Sequence, residues 1–249
     1  MGRWSRRLAE RFIDWLGAEP NLAWLDVGCG TGALTSVICN VADPSSVVAC
    51  DPSEAFVQDA RRRIKDGRVT VIVAGSDDLP QRKGGFDRVV SGLVLNFLTD
   101  PRRSVEEMRA RTRPGGMVAA YVWDYADRME FLRHFWDEAA ALDESARDLD
   151  EGFRFPMCRR DALESIFSAA GMRDVMSAAV EIPTRFETFN DYWRPFLGGT
   201  GPAPSYVASL SEEMLHGLRV RLERRLVPAG TGGVIELVAR AWAVRGAAP

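Results

Sequence analysis

Residues 22–38 leave the chain few choices of fold. Leu22-Ala23-Trp24-Leu25 is an apolar run of strand length. Asp26-Val27-Gly28-Cys29-Gly30-Thr31-Gly32 then turns through three glycines at alternate positions. From Ala33 the chain leaves as a helix with Leu34, Val37 and Ile38 on one face. Glycines, lacking a Cβ, adopt positive φ and let a ligand lie against bare backbone. The helix that follows turns its free N–H groups and the positive end of its dipole toward that ligand. Strand, glycine turn and helix together form the opening unit of a ligand-binding parallel α/β sheet. A bare turn would need one glycine, not three in register.

The spacing restricts the ligand. From Gly28 the pattern is G-x-G-x-G, and Ala33 stands where the dinucleotide fingerprint G-x-G-x-x-G has its third glycine, which weighs against a nicotinamide cofactor. The next strand, Val47 to Cys50, ends at Asp51-Pro52-Ser53. A carboxylate at that strand end can accept hydrogen bonds from both hydroxyls of a ribose, or can simply start the helix running from Glu54 to about Ile64. A third strand is expected over Val69 to Ala74. A fourth, from Phe86, is nearly all apolar, as a parallel strand covered on both faces should be. A helix over Pro101 to Arg113 is expected to stop at Pro114-Gly115-Gly116, before a fifth strand from Met117 to Trp123.

The string Leu25-Asp26-Val27-Gly28-Cys29-Gly30-Thr31-Gly32 resembles motif I of the class I S-adenosylmethionine-dependent methyltransferases, and Arg113-Pro114-Gly115-Gly116 resembles the turn that family carries before its fifth strand. The likeness runs from Leu22 to about Trp123 and returns in the last strand. It is strongest to the bacterial branch containing quinone-biosynthesis enzymes. It implies an α/β fold: a Rossmann-like, doubly wound, mostly parallel seven-stranded sheet with an antiparallel last strand and a helical lid. It also implies S-adenosylmethionine as cofactor and S-adenosylhomocysteine as product. By the same resemblance Asp26, Gly28, Gly30, Thr31 and Gly32 would face the methionyl end, and Asp51, Pro52 and Ser53 the ribose. Ser91, Gly92 and Leu93 would lie under the methionine and sulfonium. The family often has Gly-Asp-Ala-Glu-x-Leu-Pro after its third strand. With Leu79-Pro80 as anchor, Gly75 falls where the aspartate usually sits, so adenine recognition is expected from the Ser76 backbone and the Asp77 or Asp78 carboxylate.

The substrate side is less defined. Segments 126–156 and 183–233 exceed the minimal fold and are expected to form a lid with the leading helix 4–16. The core is then expected over 18–125, 157–182 and 234–245, the whole chain being one methyltransferase domain. The extra segments are rich in aromatics, which points to an apolar pocket for a small organic acceptor. Trp4, Asn96, Trp123, Tyr125, Tyr192 and Trp193 are candidate pocket residues. Trp4 could equally belong to a helix packed on the sheet, and Asn96 could equally cap the helix after Pro101. Gly198 to Pro202 reads as a hinge. If the acceptor is a phenol or alcohol, a general base is worth about 10²–10⁴-fold. Asp124 at a strand end is the first candidate. His134, placed by helical periodicity on the solvent side of Met129 to Leu142, is the second.

Composition excludes some classes. A net charge of −3 gives no electrostatic case for nucleic acid. The region after the fourth strand lacks the Asn/Asp-Pro-Pro-Tyr/Phe tetrapeptide that marks methylation of base or glutamine amino groups. No run of about 18 apolar residues is present to span a membrane. The basic N-terminal stretch lacks the continuous apolar block of a signal peptide. Four cysteines without a C-x-x-C pair, and only two histidines, give no metal site, and a cytoplasmic protein is expected. The expected activity is methyl transfer to a small, largely apolar molecule. The alternatives are an RNA or protein methyltransferase and a non-catalytic binding protein of the same fold. Replacing Asp51 by Ala should weaken S-adenosylmethionine binding by roughly 1.5–3 kcal/mol, the value of hydrogen bonds to a charged group. Unchanged affinity in a calorimetric titration would mean the ribose lies elsewhere.

Overall fold

A computed structural model describes residues 2–17, 19–198, 201–227 and 233–249. Its contacts divide the chain into two compact units: unit 1, residues 1–122, 159–180 and 241–249, and unit 2, residues 123–158 and 181–240.

Helix α1 (Gly2–Leu16) precedes β1 (Ala23–Val27), α2 (Ala33–Val41), β2 (Ser46–Asp51), α3 (Glu54–Arg63), β3 (Val69–Val73), β4 (Phe86–Gly92), α4 (Pro101–Arg111) and β5 (Thr112–Trp123). Then come α5 (Glu130–Leu142), α6 (Glu151–Arg154), α7 (Arg160–Ala169), β6 (Arg173–Phe186), α8 (Phe189–Trp193), α9 (Pro202–Ser209), α10 (Glu212–Leu226) and β7 (Ile235–Ala247). The seven strands form one sheet in the order β3-β2-β1-β4-β5-β7-β6. Strands β1 to β5 are paired in parallel. Strand β7 runs antiparallel to β5: Gly115 N bonds Ala248 O and Ala248 N bonds Gly116 O near one end, and Asp124 N bonds Arg240 O near the other. This is the expected doubly wound sheet, with the chain reversing direction across it between β1 and β4.

In unit 1, helices α1 to α3 cover one face of the sheet. Thr35 on α2 reaches Asp26 on β1, and the Phe12 ring on α1 lies 4.6 Å from that of Tyr121 on β5. Val57 and Ala60 on α3 pack with Ala49 and Val71. Arg245 Nη1 donates to the last carbonyls of α1, Trp15 O and Leu16 O. Two local expectations need correction. The Pro114-Gly115-Gly116 segment does not precede the fifth strand; it is a bulge within it. Phe86 pairs with Thr112 but Arg88 with Met117, so several residues of β5 oppose one of β4. A side chain at Gly116 would strike Thr112 Cγ2 at 2.6 Å. Nor does Asn96 cap α4. Asp100 does, accepting from Arg103 N at 3.0 Å, with Pro101 at the first helical position.

In unit 2 the aromatics pack on one another. Phe131 and Phe135 on α5 stack on Phe196 at 4.6 and 4.4 Å, Phe186 lies 5.6 Å from Phe131, and Tyr192 sits edge-on to Phe131 at 5.2 Å. The Tyr192 hydroxyl donates to Phe131 O at 2.9 Å. Tyr192 and Trp193, expected in an acceptor pocket, are therefore buried parts of this core. A unit that folds around its own helices needs an apolar centre before it can spare aromatics for a ligand. On the other side of α5, Glu138 accepts from Arg221 and Arg225 of α10. Among the described residues no helix is long and apolar enough to cross a membrane. Residues Gly199 and Thr200 of the expected hinge lie outside the described residues. Truncating Phe196 to Ala should cost about 3–5 kcal/mol in denaturant unfolding, and a loss below about 1 kcal/mol would contradict this packing.

Candidate active site

The glycine loop is held from β2. Gly28 N and Cys29 N both donate to Cys50 O, at 2.8 and 2.9 Å, and Gly30 N donates to Asp51 Oδ2 at 2.9 Å. The other carboxylate oxygen of Asp51 accepts from Ser53 N at 2.9 Å, and Ser53 itself caps α3. Asp51 thus fastens the loop and shapes the start of α3, and its lone pairs outnumber the two bonds made. All three motif glycines have positive φ, but they serve differently. A Cβ on Gly28 would meet Val94 at 2.6 Å, and one on Gly32 would meet Ile64 at 2.5 Å, so those two permit close packing. A Cβ on Gly30 would meet nothing within 4 Å. The loop is open there, where a ligand could approach its backbone. Cys29 packs with Ala49, Val57 and Val71, and burial pushes its thiol up, so it fills space and is not a nucleophile.

Strand β1 aims Asp26 into the same region. Its Oδ2 accepts from the Thr35 hydroxyl at 2.6 Å, while its Oδ1 is buried without a hydrogen-bond partner. Burial raises the carboxyl to about 7, against the opposing bonds from Thr35. The exit of β4 completes the wall. Ser91 Oγ donates to Val27 O at 2.9 Å, Leu93 takes φ 62° with its N–H on Tyr121 O, and Val94 packs toward Gly28. Asn96, itself buried, follows in a 3₁₀ turn, and its Nδ2 has no partner. The structure therefore gathers Asp26, Gly28, Gly30, Thr31, Gly32, Asp51, Ser53, Ser91, Gly92 and Leu93 at the carboxyl ends of β1, β2 and β4. That is where open α/β sheets bind ligands.

Other candidates stand further out. Ser76 is half-buried. Asp77 is exposed, its nearest cation Arg103 Nε at 3.8 Å, and Pro52 is exposed beside the loop. A Cβ on Gly75 would meet only Pro52, at 3.9 Å, so the missing side chain leaves room there. Trp4 is buried on α1. Sequence reading missed Tyr121. Its ring faces Phe12, and a Cβ on Gly92 would lie 2.5 Å from its hydroxyl oxygen. Only strand register could have found it, since β5 carries no motif at that position.

The candidates in unit 2 are tied up within it. Asp124 is buried. Its Oδ2 accepts from Arg240 Nε at 2.7 Å, and its Oδ1 from Asp127 N at 3.2 Å. Both carboxylate oxygens are engaged, one of them in an ion pair with Arg240, so Asp124 anchors the end of β5 and does not stand free as the expected base. His134 is not solvent-facing as periodicity predicts. It is half-buried because α10 covers that side of α5, and its Nδ1 has no partner. Burial, then the nearby Arg225, lowers its basicity. Trp123 and Tyr125 are buried, Tyr125 with its ring 5.6 Å from Phe155.

Residues 25–120 match the family model described as methyltransferase domain. The ubiquinone/menaquinone biosynthesis C-methyltransferase of Vibrio parahaemolyticus is 33% identical over 118 residues, covering 45% of this chain and 46% of that protein. The demethylmenaquinone methyltransferase of Clavibacter sepedonicus is 36% identical over 95 residues, 38% of each chain. The chain spans less than half the length of these two relatives. Among solved structures, phosphoethanolamine N-methyltransferase 2 of Haemonchus contortus, in complex with S-adenosylmethionine, has the same fold. Its TM-score is 0.60 at 16% identity, over 98% of this chain and 52% of that one.

The buried Asp26 carboxyl gives a pH signature. Its folded value of about 7 lies above the unfolded value of 3.8, so its contribution is intact below pH 4 and is lost as pH rises to 7. At about 1.4 kcal/mol per pKa unit the loss is roughly 4 kcal/mol. Asp26→Asn should remove that decline, so denaturant unfolding of variant and wild type should diverge between pH 4 and 7. Parallel profiles would contradict the assignment.

Proposed function

We propose that this chain is a class I S-adenosylmethionine-dependent methyltransferase that transfers the methyl group of S-adenosylmethionine to a small, largely apolar organic acceptor. The observation that carries this reading is the crevice at the ends of β1 and β4. It combines an open glycine at Gly30, a carboxylate on Asp51 with lone pairs to spare, and unpartnered buried groups on Asp26 and Asn96. These features fit an amino-acid nucleoside: Asp51 for the ribose hydroxyls, Asp26 and the glycine loop for the methionyl end, and Ser76 and Asp77 beside the adenine. When bound, S-adenosylmethionine supplies an electrophilic methyl group on a sulfonium.

The protein's part is then placement and exclusion of water, which can account for much of an in-line displacement. Asp124 stays in its ion pair, and burial with the nearby Arg225 disfavours the charged form of His134. We assign the choice of acceptor to unit 2, which contains the segments 126–156 and 183–233. The named activities of the quinone-biosynthesis relatives and the acidic net charge favour a small molecule over RNA or protein. The four cysteines are buried free thiols, in keeping with a reducing cytoplasm.

The test is transfer of labelled methyl from S-adenosylmethionine into cell extract. Label should enter an organic-soluble fraction that survives nuclease and protease treatment. Loss of the label on either treatment would overturn the small-molecule reading. Gly30→Val should abolish incorporation by filling open space, with folding checked by thermal unfolding. Gly75→Asp, entering the room beside Pro52, should lower the KM for S-adenosylmethionine several-fold.

A further inference from the structure

On the face of the sheet covered by α1 to α3, Asp26 is in register with Val90 on β4, and Val90 with Ala119 on β5. Two residues further along, Gly92 pairs with Tyr121. Side chains two apart on a strand share a face, so Asp26 and Tyr121 lie on the same one. The phenol leans from β5 over β4. The Cβ that Gly92 lacks would stand 2.5 Å from the hydroxyl oxygen, 2.7 Å from Cζ and 3.0 Å from Cε1. The tip of Tyr121 therefore occupies the gap above Gly92, toward β1, at the point where strand order reverses. Phe12 closes over the ring at 4.6 Å. The side chain is 2% exposed, and burial, with the nearby Asp26 charge, holds the phenol protonated. The neighbouring Asp26 Oδ1 is itself buried without a partner. The Tyr121 hydroxyl and Asp26 Oδ1 thus lie on one face near the crevice end, and the buried Asp26 Oδ1 costs stability while it has no partner.

We propose that the Tyr121 hydroxyl is a cofactor-binding group that, with Asp26 Oδ1, receives the ammonium of the methionyl moiety. This rests on the cofactor reading above and adds a residue that no motif supplies. A phenol oxygen offers lone pairs and a carboxylate offers charge, and an ammonium has three donors to satisfy both. Gly92 is then glycine because any side chain there would displace the phenol.

The test is a cycle of four calorimetric titrations: wild type and Tyr121→Phe, each with S-adenosylhomocysteine and with its analogue carrying hydrogen in place of the amino group. Tyr121→Phe should bind S-adenosylhomocysteine about tenfold or more weakly than wild type, and the analogue as well as wild type does. Its thermal midpoint without ligand should match wild type, because no hydrogen bond within the protein is lost. Should Tyr121→Phe fail to fold, Gly92→Ala, which displaces the hydroxyl without removing it, should show the same selective loss. Equal affinity of wild type and Tyr121→Phe for S-adenosylhomocysteine would overturn the proposal, and so would an equal loss for both ligands. No binding of either ligand by wild type would instead overturn the cofactor reading, and the proposal with it.

Discussion

One carboxylate organises this site. Asp51 ends β2, accepts the Gly30 amide with one oxygen and the Ser53 amide with the other, and so fixes the glycine loop and the start of α3 against each other. With Gly28 N and Cys29 N on Cys50 O, most of the loop's hydrogen bonding is spent on β2. A loop held that way is rigid before any ligand arrives, so little ordering entropy remains to oppose binding. The close contacts that would meet a Cβ at Gly28 and Gly32 serve the same end, pressing Val94 and Ile64 against the turn. Only Gly30 is left facing open space.

Much of this could be read in the chain itself. The alternation of glycines after an apolar strand, and an acid at the end of the next strand, are local patterns with local causes, and they placed β1, α2, β2 and Asp51. The apolar run from Phe86 marked a central parallel strand. Features set by contacts distant in sequence were less legible. The bulge at Pro114-Gly115-Gly116 reads as a turn because glycine pairs signal both, and only the pairing with β4 distinguishes them. Asp124 looks like a base at a strand end until Arg240, far along the chain, claims it. His134 follows the polar side of its own helix, yet α10 covers that side. Tyr121 gains its position entirely from the partner strand.

The aromatics of unit 2 teach a related lesson. Their density invites a pocket, but Phe131, Phe135, Tyr192 and Phe196 satisfy one another in stacked and edge-on pairs. Composition reports how much apolar surface a segment must bury, not against what. The polar groups carry more information about function. Asp26 Oδ1 and Asn96 Nδ2 are buried without partners, and such groups ask for an explanation that packing alone does not give.

The most direct measurement is calorimetric titration of the purified protein with S-adenosylhomocysteine and, in parallel, with NAD. A site built on Gly30, Asp51 and Asp26 should bind the first with one-to-one stoichiometry and ignore the second. Binding of NAD, or silence toward both, would contradict the account.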